Sequence, residues 1–447
     1  MKMLRESGYM NWVLPLMVAF AATDVLLSGR DLSMVYAELA GMAGSSRHAL
    51  MPWIQRAVSV VLLLISFERI ANHFSQGRKI PSAPLACAFV AYWVCTVASP
   101  SLLGAHPLVS HEYAYALVIG FAALLVTTQE IGKIVDTTRD SLFLLMLASV
   151  VFVPLWPSLV LDESYTQGFL PGVPRLGGLA PHPVAMGLFA QLGLLLLWAR
   201  PYGNRWINVL AWVLGIGVLF FAQSKTAWIA FMLCSLVMVF VRHGASAWRR
   251  VGDPREGAFG ILLCVAVMLA GISMLVVFLF TDVSGRMSDF LNTDQGNQLM
   301  TMTGRDQIWA IAWDEWDSHK WFGYGPGLFD DDFRMAVNMP NATNAHNQFM
   351  DTLARSGALG AVALIAYSVV LMVLSLKYAK RTAGLSAALF VALALRSVSE
   401  VPMMLFGYGT ELFGHLLLIV TLAAAASMNV PVKAARARPA YPYGAPA

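Results

Sequence analysis

Charged residues are scarce in this sequence. Only 13% of its 447 residues are Asp, Glu, Lys or Arg, while 58% are hydrophobic. A soluble globular domain is typically about a quarter charged. A chain of this composition has too little polar surface to enclose a water-soluble fold of its size. The composition therefore excludes a soluble globular protein and indicates one that crosses a membrane several times.

Cysteine is also scarce, and its placement excludes two common uses. All the cysteines fall in apolar segments, and the sequence has no CxxC pair and no Cys/His ligand spacing; they are Cys87, Cys95, Cys234 and Cys264. Structural zinc sites and disulfide frameworks depend on such spacing. We therefore expect neither zinc nor disulfides in this protein.

Apolar runs of membrane-spanning length recur along the chain. A helix needs about 20 apolar residues to cross the hydrocarbon core, and this length predicts an all-α integral membrane protein with about twelve transmembrane helices. The approximate bounds of the runs are 10–28, 52–70, 82–103, 112–129, 141–161, 184–199, 206–222, 226–241, 258–280, 356–376, 382–399 and 411–428.

Basic residues predict the orientation of these helices, because loops rich in Lys and Arg remain in the cytoplasm. Segment 242–255 carries four arginines, whereas segment 104–111 carries no Lys or Arg. With a cytoplasmic N-terminus the chain divides into transmembrane helices 1–9 (1–280), a large loop on the far side (281–355), transmembrane helices 10–12 (356–428) and a disordered cytoplasmic tail (429–447).

The loop 281–355 is the longest polar stretch and the richest in His, Arg and Asp. Its Thr303-Gly-Arg-Asp306 run has the spacing of a capping box, which predicts a following helix of about 15 residues with helical periodicity. One face of this helix is apolar and carries Ile308, Trp309, Ala312, Trp313 and Trp316. We expect that face to lie flat at the membrane surface; packing within the loop and stacking on sugars are the alternatives.

Three groups in the same loop are candidates for chemistry. The imidazole of His346 can take a proton from a hydroxyl near neutral pH, although a lone His is often structural. The guanidinium groups of Arg286 and Arg305 match phosphate oxygens; contact with lipid headgroups is their alternative role. The acidic run 330–332 is either a metal site or a solvated turn, and consecutive acids converge on a cation only in a tight backbone fold.

Several motifs taken together resemble the O-antigen ligase and polymerase superfamily of bacterial envelope enzymes. In the loop these are Thr-Gly-Arg305…Trp309, Phe-Gly-Tyr-Gly325, and Ala-His346-Asn-Gln followed by Gly357-x-x-Gly360. Upstream, Arg175-Leu-Gly-Gly178-x-x-x-x-Pro183 resembles the first arginine loop of the family, and Gln223-Ser-Lys225-Thr-Ala resembles its short turn between two spans. The first five spans match in topology only.

The resemblance implies a GT-C-like helical bundle in the bacterial inner membrane, with a large periplasmic loop before the last three spans. Enzymes of this family move a glycan from undecaprenyl diphosphate to a hydroxyl acceptor, with inversion at the anomeric carbon. By the motif match, His346 would deprotonate the acceptor, and Arg175, Arg286 and Arg305 would hold the diphosphate. The resemblance implies no metal, no other cofactor and no nucleic-acid partner.

Two positions depart from the family pattern. The turn between two spans usually carries Ser-Arg, and here Lys225 follows Ser224. Lysine keeps the charge but loses the bidentate guanidinium fork, so Lys225 is a weaker candidate for diphosphate binding. The first arginine loop usually has Asn after its Pro, and here Val184 follows Pro183.

Two reactions of the family remain open, together with two other classes of function. A ligase transfers the finished glycan to lipid A-core, whereas a polymerase for O-antigen or exopolysaccharide uses a lipid-linked repeat unit as acceptor. A transporter would need ionisable residues deep in its spans, where this chain has few, such as Asp24 and Glu68. The fourth possibility is a structural assembly protein without chemistry. Membrane lipids are expected partners in every case.

Overall fold

The structure is a computed structural model that describes residues 8–34, 48–164, 172–251, 305–340 and 342–428. This part of the chain is almost wholly helical. Apart from the helices it has one antiparallel strand pair, β1 (Leu161–Asp162) and β2 (Arg175–Leu176). The described residues therefore confirm an all-α membrane protein.

Thirteen helices follow one another along the described chain. In order they are α1 (Val13–Ser28), α2 (Met51–Ser75), α3 (Ala83–Leu103, with a π-helical segment at Val94–Ala98), α4 (Tyr113–Ala123), α5 (Thr128–Leu155), α6 (Pro183–Ala199), α7 (Arg205–Phe221), α8 (Lys225–Val251), α9 (Arg305–Ser318), α10 (Asp331–Ala336), α11 (Gln348–Lys377), α12 (Leu385–Ser399) and α13 (Thr410–Ser427). A 3₁₀ turn (Gly8–Trp12) precedes α1, and a single helical turn (Pro157–Val160) precedes β1.

The described helices occur where the apolar runs predict them. Eleven of the twelve runs coincide with a helix, and the run 258–280 lies outside the described residues. Within the described residues, six helices are long and apolar enough to cross a membrane and four more are shorter and apolar. The protein is therefore membrane-spanning, while the number of twelve spans and their orientation stay predictions.

Helix α13 lies near the centre of the bundle. Its side chains from Leu412 to Ala426 are almost all buried, and it packs on α1, α4, α5, α6 and α12. A helix that is apolar all round is expected to be buried. The small side chains of 423–426 let neighbouring helices approach closely, as small residues do between membrane helices.

Loops from distant parts of the chain meet at one end of the bundle, which we call the His346 end. Arg30, after α1, donates to the carbonyl of Ala180 at 2.8 Å. The backbone N–H of Ala105, after α3, donates to the carbonyl of Gly323 at 3.1 Å. These contacts show that the loops after α1, α3 and α5 lie at the same end as the described part of the polar loop.

Ion pairs and caps tie helices together at the opposite end, which we call the Arg69 end. Arg69 of α2 donates to both oxygens of Glu130 in α5, at 2.7 and 2.6 Å. The backbone N–H of Thr128 donates to the Ser427 hydroxyl at 2.9 Å. The Arg69 end thus joins α2, α5 and α13.

The described part of the polar loop folds around a small apolar core of its own. Helix α9 runs from Arg305 to Ser318, close to the predicted length, while Thr303 of the predicted capping box lies outside the described residues. The core is formed by Ala312, Leu328, Phe329, Phe333, Ala342, Ala345 and Ala354. Ala354 belongs to α11, so this core fastens the loop to the membrane bundle.

Helix α11 begins at Gln348, before the predicted span start at 356, and bends at Gly357. The Phe-Gly-Tyr-Gly run crosses α11 at this bend, where a Cβ on Gly357 would lie 2.3 Å from the backbone of Trp321. A Cβ on Gly323 would lie 2.6 Å from the carbonyl oxygen of Ala354. Both glycines have positive φ angles, of 66° and 69°. These two glycines therefore serve a close backbone crossing that side chains would prevent.

Arg355 fixes the loop just past that crossing. Its guanidinium donates to the carbonyls of Pro326 and Leu328, both at 2.6 Å, and pairs with Asp351 one helical turn earlier. The Arg355 side chain is buried. The hydrogen bonds of Arg355 therefore hold the 326–328 turn against α11.

Candidate functional site

His346 lies between α10 and α11 in a constrained backbone conformation. Its φ angle is +45°, a left-handed value that is uncommon outside glycine and often occurs at functional sites. Its N–H donates to Asn344 Oδ1 at 2.7 Å. The preceding residue, Ala345, accepts a bond from Trp309 Nε1 at 2.9 Å and donates to Asp351 Oδ1 at 3.2 Å. Helices α9 and α11 thus hold the backbone that presents the imidazole.

The imidazole of His346 faces the carboxylate of Glu400, the residue that ends α12. The Nδ1 to Oε2 distance is 3.4 Å, and the two side chains are 28% and 13% exposed. Burial alone would raise the pKa of Glu400, but the hydrogen bond and charge of His346, with the charges of Arg396 and His182, hold it below its usual value. Glu400 therefore stays ionised at neutral pH, and Nε2 is the His346 nitrogen left for a substrate.

Sequence reasoning did not assign a role to Glu400. The sequence offers it only as one of a few charges that could lie deep in the spans of a transporter. A usable signal existed, because an acidic residue at the same predicted membrane end as a candidate base is a natural partner for it. The pairing joins residues 54 positions apart, which no local pattern reveals.

Arg305 of α9 interacts electrostatically with the same carboxylate. It is the first residue of that helix and is half-buried. Burial lowers the pKa of Arg305, and the negative charge of Glu400 opposes that change. The N-terminal end of a helix carries partial positive charge, so the guanidinium and the helix end favour an anion at the same place.

His182 connects the first arginine loop to this cluster. It caps α6, where its Nδ1 accepts a hydrogen bond from the Ala185 N–H at 3.3 Å. Burial lowers the pKa of His182, while the charges of Glu411 and Glu400 act against that change. Because Nδ1 is an acceptor, the Nε2 of a neutral His182 carries the proton. Sequence reasoning missed this residue as well, although it lies just before the Pro183 of the loop motif.

A second ion pair lies beside Glu400. The guanidinium of Arg396 in α12 binds both oxygens of Glu411 in α13, with NH2 distances of 2.9 and 2.8 Å. The side chain of Arg396 is 9% exposed. Arg396 therefore makes its hydrogen bonds to Glu411, and His346 is the residue that is hydrogen-bonded to Glu400.

The two upstream motifs lie in contact with each other. The Nε of Arg175 in β2 donates to the carbonyl of Ala222 at 2.8 Å, and Arg175 is buried. In the adjoining turn, Gln223 has a φ angle of +47°, and its side chain donates to the carbonyl of Val173 at 3.0 Å. Lys225 begins α8 beside this turn, with an exposed side chain.

The structure thus brings together some of the predicted site residues. His346 and Arg305 both interact electrostatically with Glu400. Arg175 acts electrostatically on His182, and His182 interacts with the same carboxylate. Lys225 adjoins the Arg175 turn. The remaining predicted residue, Arg286, lies outside the described residues.

The first arginine loop is held in place by Arg30, which follows the first membrane helix. Its guanidinium donates to the carbonyls of Leu159, Gly178, Ala180 and Pro181. Burial lowers the pKa of Arg30 to about 10, against the opposing charge of Asp24. The early spans, which the motifs leave without a role, therefore help to shape the site.

The acidic run 330–332 forms a helix start. Asp330 caps α10 by accepting from the Phe333 N–H at 2.8 Å, and Asp331 pairs with Arg334. Among the described residues, no group of three His, Cys, Asp or Glu side chains could hold a metal ion. Asp330 and Asp331 therefore bind groups of their own short helix, which is closer to the solvated-turn alternative.

The apolar face of α9 packs mainly within the loop. Ala312 is buried in the loop core, and Ile308 and Trp309 pack against it. Trp313 is half exposed and stacks edge-on with Trp316 at 4.7 Å. Packing within the loop therefore explains Ile308, Trp309 and Ala312 of this face, whereas Trp313 remains exposed.

Chemically, this arrangement combines a base with a site for an anion. A histidine paired with an ionised carboxylate can accept a proton on its free nitrogen. Arginines gathered nearby can stabilise negative charge on phosphate oxygens. Proton transfer from a hydroxyl to His346 and charge development at Arg305 can therefore occur in one place.

Comparison with known protein families matches one part of the chain. The family described as O-antigen ligase matches residues 210–365. That range contains α9, His346 and the first part of α11. No curated protein matches the chain. The family match confirms the resemblance and supports a membrane glycosyltransferase of the O-antigen ligase or polymerase type.

Proposed function

We propose that this chain, whose residues 210–365 match the O-antigen ligase family, transfers a glycan from undecaprenyl diphosphate to a hydroxyl of lipid A-core. The reaction would take place at the periplasmic face of the bacterial inner membrane. The observation that carries the proposal is the 3.4 Å contact between His346 and Glu400, with Arg305 close enough to interact electrostatically with the same carboxylate.

In this mechanism His346 acts as the general base. Its Nε2 takes the proton from the acceptor hydroxyl while that oxygen attacks the anomeric carbon of the glycan. Glu400 accepts a hydrogen bond from Nδ1–H, which fixes the tautomer and stabilises the imidazolium that forms. General-base catalysis of this kind contributes about 10²–10⁴-fold to the rate.

The arginines act on the leaving group. As the bond between the anomeric carbon and the diphosphate oxygen breaks, its electron pair remains on undecaprenyl diphosphate. Arg305, Arg175 and Arg286 are proposed to stabilise that charge, with Lys225 as an auxiliary cation. Attack from the face opposite the leaving group inverts the anomeric configuration. No metal is required, because the arginines supply the positive charge.

A polymerase is the second candidate. It uses the same base and the same diphosphate leaving group, and its acceptor is a hydroxyl on a lipid-linked repeat unit. The contacts around His346 suit both reactions because each acceptor presents only a hydroxyl to the base. Transport fits less well, since the described cluster lies at helix ends such as Glu400 and Arg305 and not along the spans.

The test uses purified protein in vesicles with undecaprenyl-diphosphate-linked glycan and either lipid A-core or a second lipid-linked repeat as acceptor. Products are separated by size, and the His346→Ala variant is the blank. Transfer to lipid A-core alone supports the ligase, and a ladder on the lipid carrier supports the polymerase. Absence of both products, with glycan crossing the membrane instead, would overturn the enzymatic proposal.

A further inference from the structure

The two residues that follow His346 both bind the chain segment that carries Glu400. Asn347 Nδ2 donates to the carbonyl of Val398 at 3.3 Å, two residues before Glu400. Gln348 Oε1 accepts from the N–H of Met403 at 2.7 Å, three residues after Glu400. The base and its carboxylate partner are thus fastened to each other by backbone contacts on both sides of Glu400.

Gln348 is held in a single orientation. Its side-chain nitrogen donates to Thr352 Oγ1 at 3.0 Å, so its oxygen is the atom that faces Met403. Gln348 is 2% exposed. The other backbone group of Met403 is also engaged, because Tyr92 of α3 donates from its hydroxyl to the Met403 carbonyl at 3.0 Å. Met403 is therefore fixed through its N–H and through its C=O.

Asn347 has two functions at once. Its Oδ1 accepts from the N–H groups of Phe349 and Met350, both at 3.0 Å, and so caps α11. Its Nδ2 remains for the Val398 carbonyl. Because the cap orients the whole amide, the start of α11 and the end of α12 have a fixed separation at the point where His346 meets Glu400.

We propose that Gln348 and Asn347 are positioning residues that set the contact between His346 and Glu400, an inference that rests on the proposed function. Glu400 lies where α12 has ended, so the helix does not fix its side chain. Arg396 and Arg305 also attract this carboxylate electrostatically. The two amide contacts hold the segment in the register where Glu400 faces His346, and small displacements of catalytic groups cost large factors in rate.

The decisive test is a double-mutant cycle on glycan transfer by the full-length protein. Gln348→Met keeps the side-chain length and removes both hydrogen bonds, and Glu400→Gln removes the charge that His346 faces. We expect Gln348→Met to lower kcat about tenfold with the KM for the lipid-linked donor within about twofold, as expected when only transition-state interactions are lost. In the Glu400→Gln background the same substitution should change kcat less than about twofold, because positioning acts through Glu400.

Two further variants serve as controls and as a safeguard against poor folding. Thr352→Val removes the group that orients the Gln348 amide but keeps the Met403 bond possible, and we expect a smaller loss of kcat than in Gln348→Met. Asn347→Ser keeps an N-cap for α11 but loses the contact with Val398. It should lower kcat about threefold, again without further loss in the Glu400→Gln background.

The outcomes separate this inference from the proposed function. Suppose that wild type transfers glycan and His346→Ala does not. If the losses of kcat in Gln348→Met and Glu400→Gln then multiply in the double variant, the positioning role is wrong and the function stands. If Asn347→Ser and Gln348→Met retain normal kcat, the positioning role is also wrong. If wild type transfers no glycan to either acceptor, both proposals fail.

Discussion

The two ends of the bundle use the same residue types for different purposes. At the Arg69 end, cations and carboxylates pair across helices: Arg69 with Glu130 at 2.6 Å, and Arg200 with Asp136 at 2.8 Å. At the His346 end, Arg396 pairs with Glu411 at 2.8 Å, and the imidazole of His346 contacts Glu400 at 3.4 Å. The pairs at the Arg69 end are separate links between helices, whereas at the His346 end an ion pair lies beside a histidine–carboxylate contact.

This difference teaches how to assign a role to an arginine in a membrane protein. An arginine that bridges two helices is explained by the stability that it provides. A cluster that converges from helices far apart in sequence, beside a histidine in a left-handed backbone conformation, indicates a ligand site. Substitutions at the Arg69 end should therefore change stability, and substitutions at the His346 end should change glycan transfer.

The largest expected effect on stability is at Glu130. Its partner Arg69 has a side chain only 3% exposed, so Glu130→Gln leaves a buried cation without its counter-charge. We expect the free energy of unfolding to fall by about 3 kcal/mol, measured by thermal unfolding in detergent. Glu400→Gln is the matched variant and should lose most of its transfer activity with a smaller loss of stability. The reverse pattern would contradict the comparison.

Arg305 should give the next largest effect, and it should appear in activity. Loss of a charged hydrogen-bond partner costs about 1.5–3 kcal/mol, so Arg305→Ala should reduce the transfer rate about ten- to a hundredfold. Arg305→Lys should recover little of that rate if the diphosphate contact is bidentate. The control is Arg200→Ala at the Arg69 end, which we expect to leave the rate within about twofold. Equal losses at Arg200 and Arg305 would remove the distinction between the ends.

Gly357 tests the backbone crossing that supports the His346 end. Gly357→Ala would place a Cβ 2.3 Å from the Trp321 backbone, at a φ angle of +66°. We expect the strained backbone to lower the free energy of unfolding by about 1–3 kcal/mol. Gly217 of α7 has open space around it, so Gly217→Ala should be neutral or slightly stabilising. Thermal unfolding of the two variants side by side measures the difference, and similar curves would rule out the crossing.

The smallest expected effect concerns pH. The pKa of Glu400 lies below its usual value in the folded protein, so its ionised form contributes stability above the unfolded pKa of about 4.3. That contribution should be lost as the pH falls through the lower folded value. The stability difference between wild type and Glu400→Gln should therefore shrink as the pH falls below about 4. The exposed Glu112 provides a control in Glu112→Gln, and the same pH trend there would deny Glu400 a special role.

Much of the fold follows from local patterns in the sequence. Apolar length predicts the membrane helices, and helical periodicity predicts α9. The family motifs identify His346 and Arg305 as site candidates. These signals are local because each depends on residues within a few turns of one another.

The missing parts of the site depend on contacts between distant segments. Glu400 meets His346 across 54 positions, and Arg30 reaches Ala180 across 150. No local pattern in the sequence links such residues. Gly357 likewise has its reason in the chain that crosses it, and the role of Trp309 becomes clear only through its bond to Ala345.

The central claim is that His346 is the base for glycan transfer. Its most direct test is a single-turnover measurement with bound lipid-linked donor, in which binding and transfer are followed separately. We expect His346→Ala to bind the donor within a few-fold of wild type and to transfer glycan at least about a hundredfold more slowly. His319→Ala, which changes an exposed histidine of the same loop, should transfer normally. Transfer at the wild-type rate by His346→Ala would contradict the account.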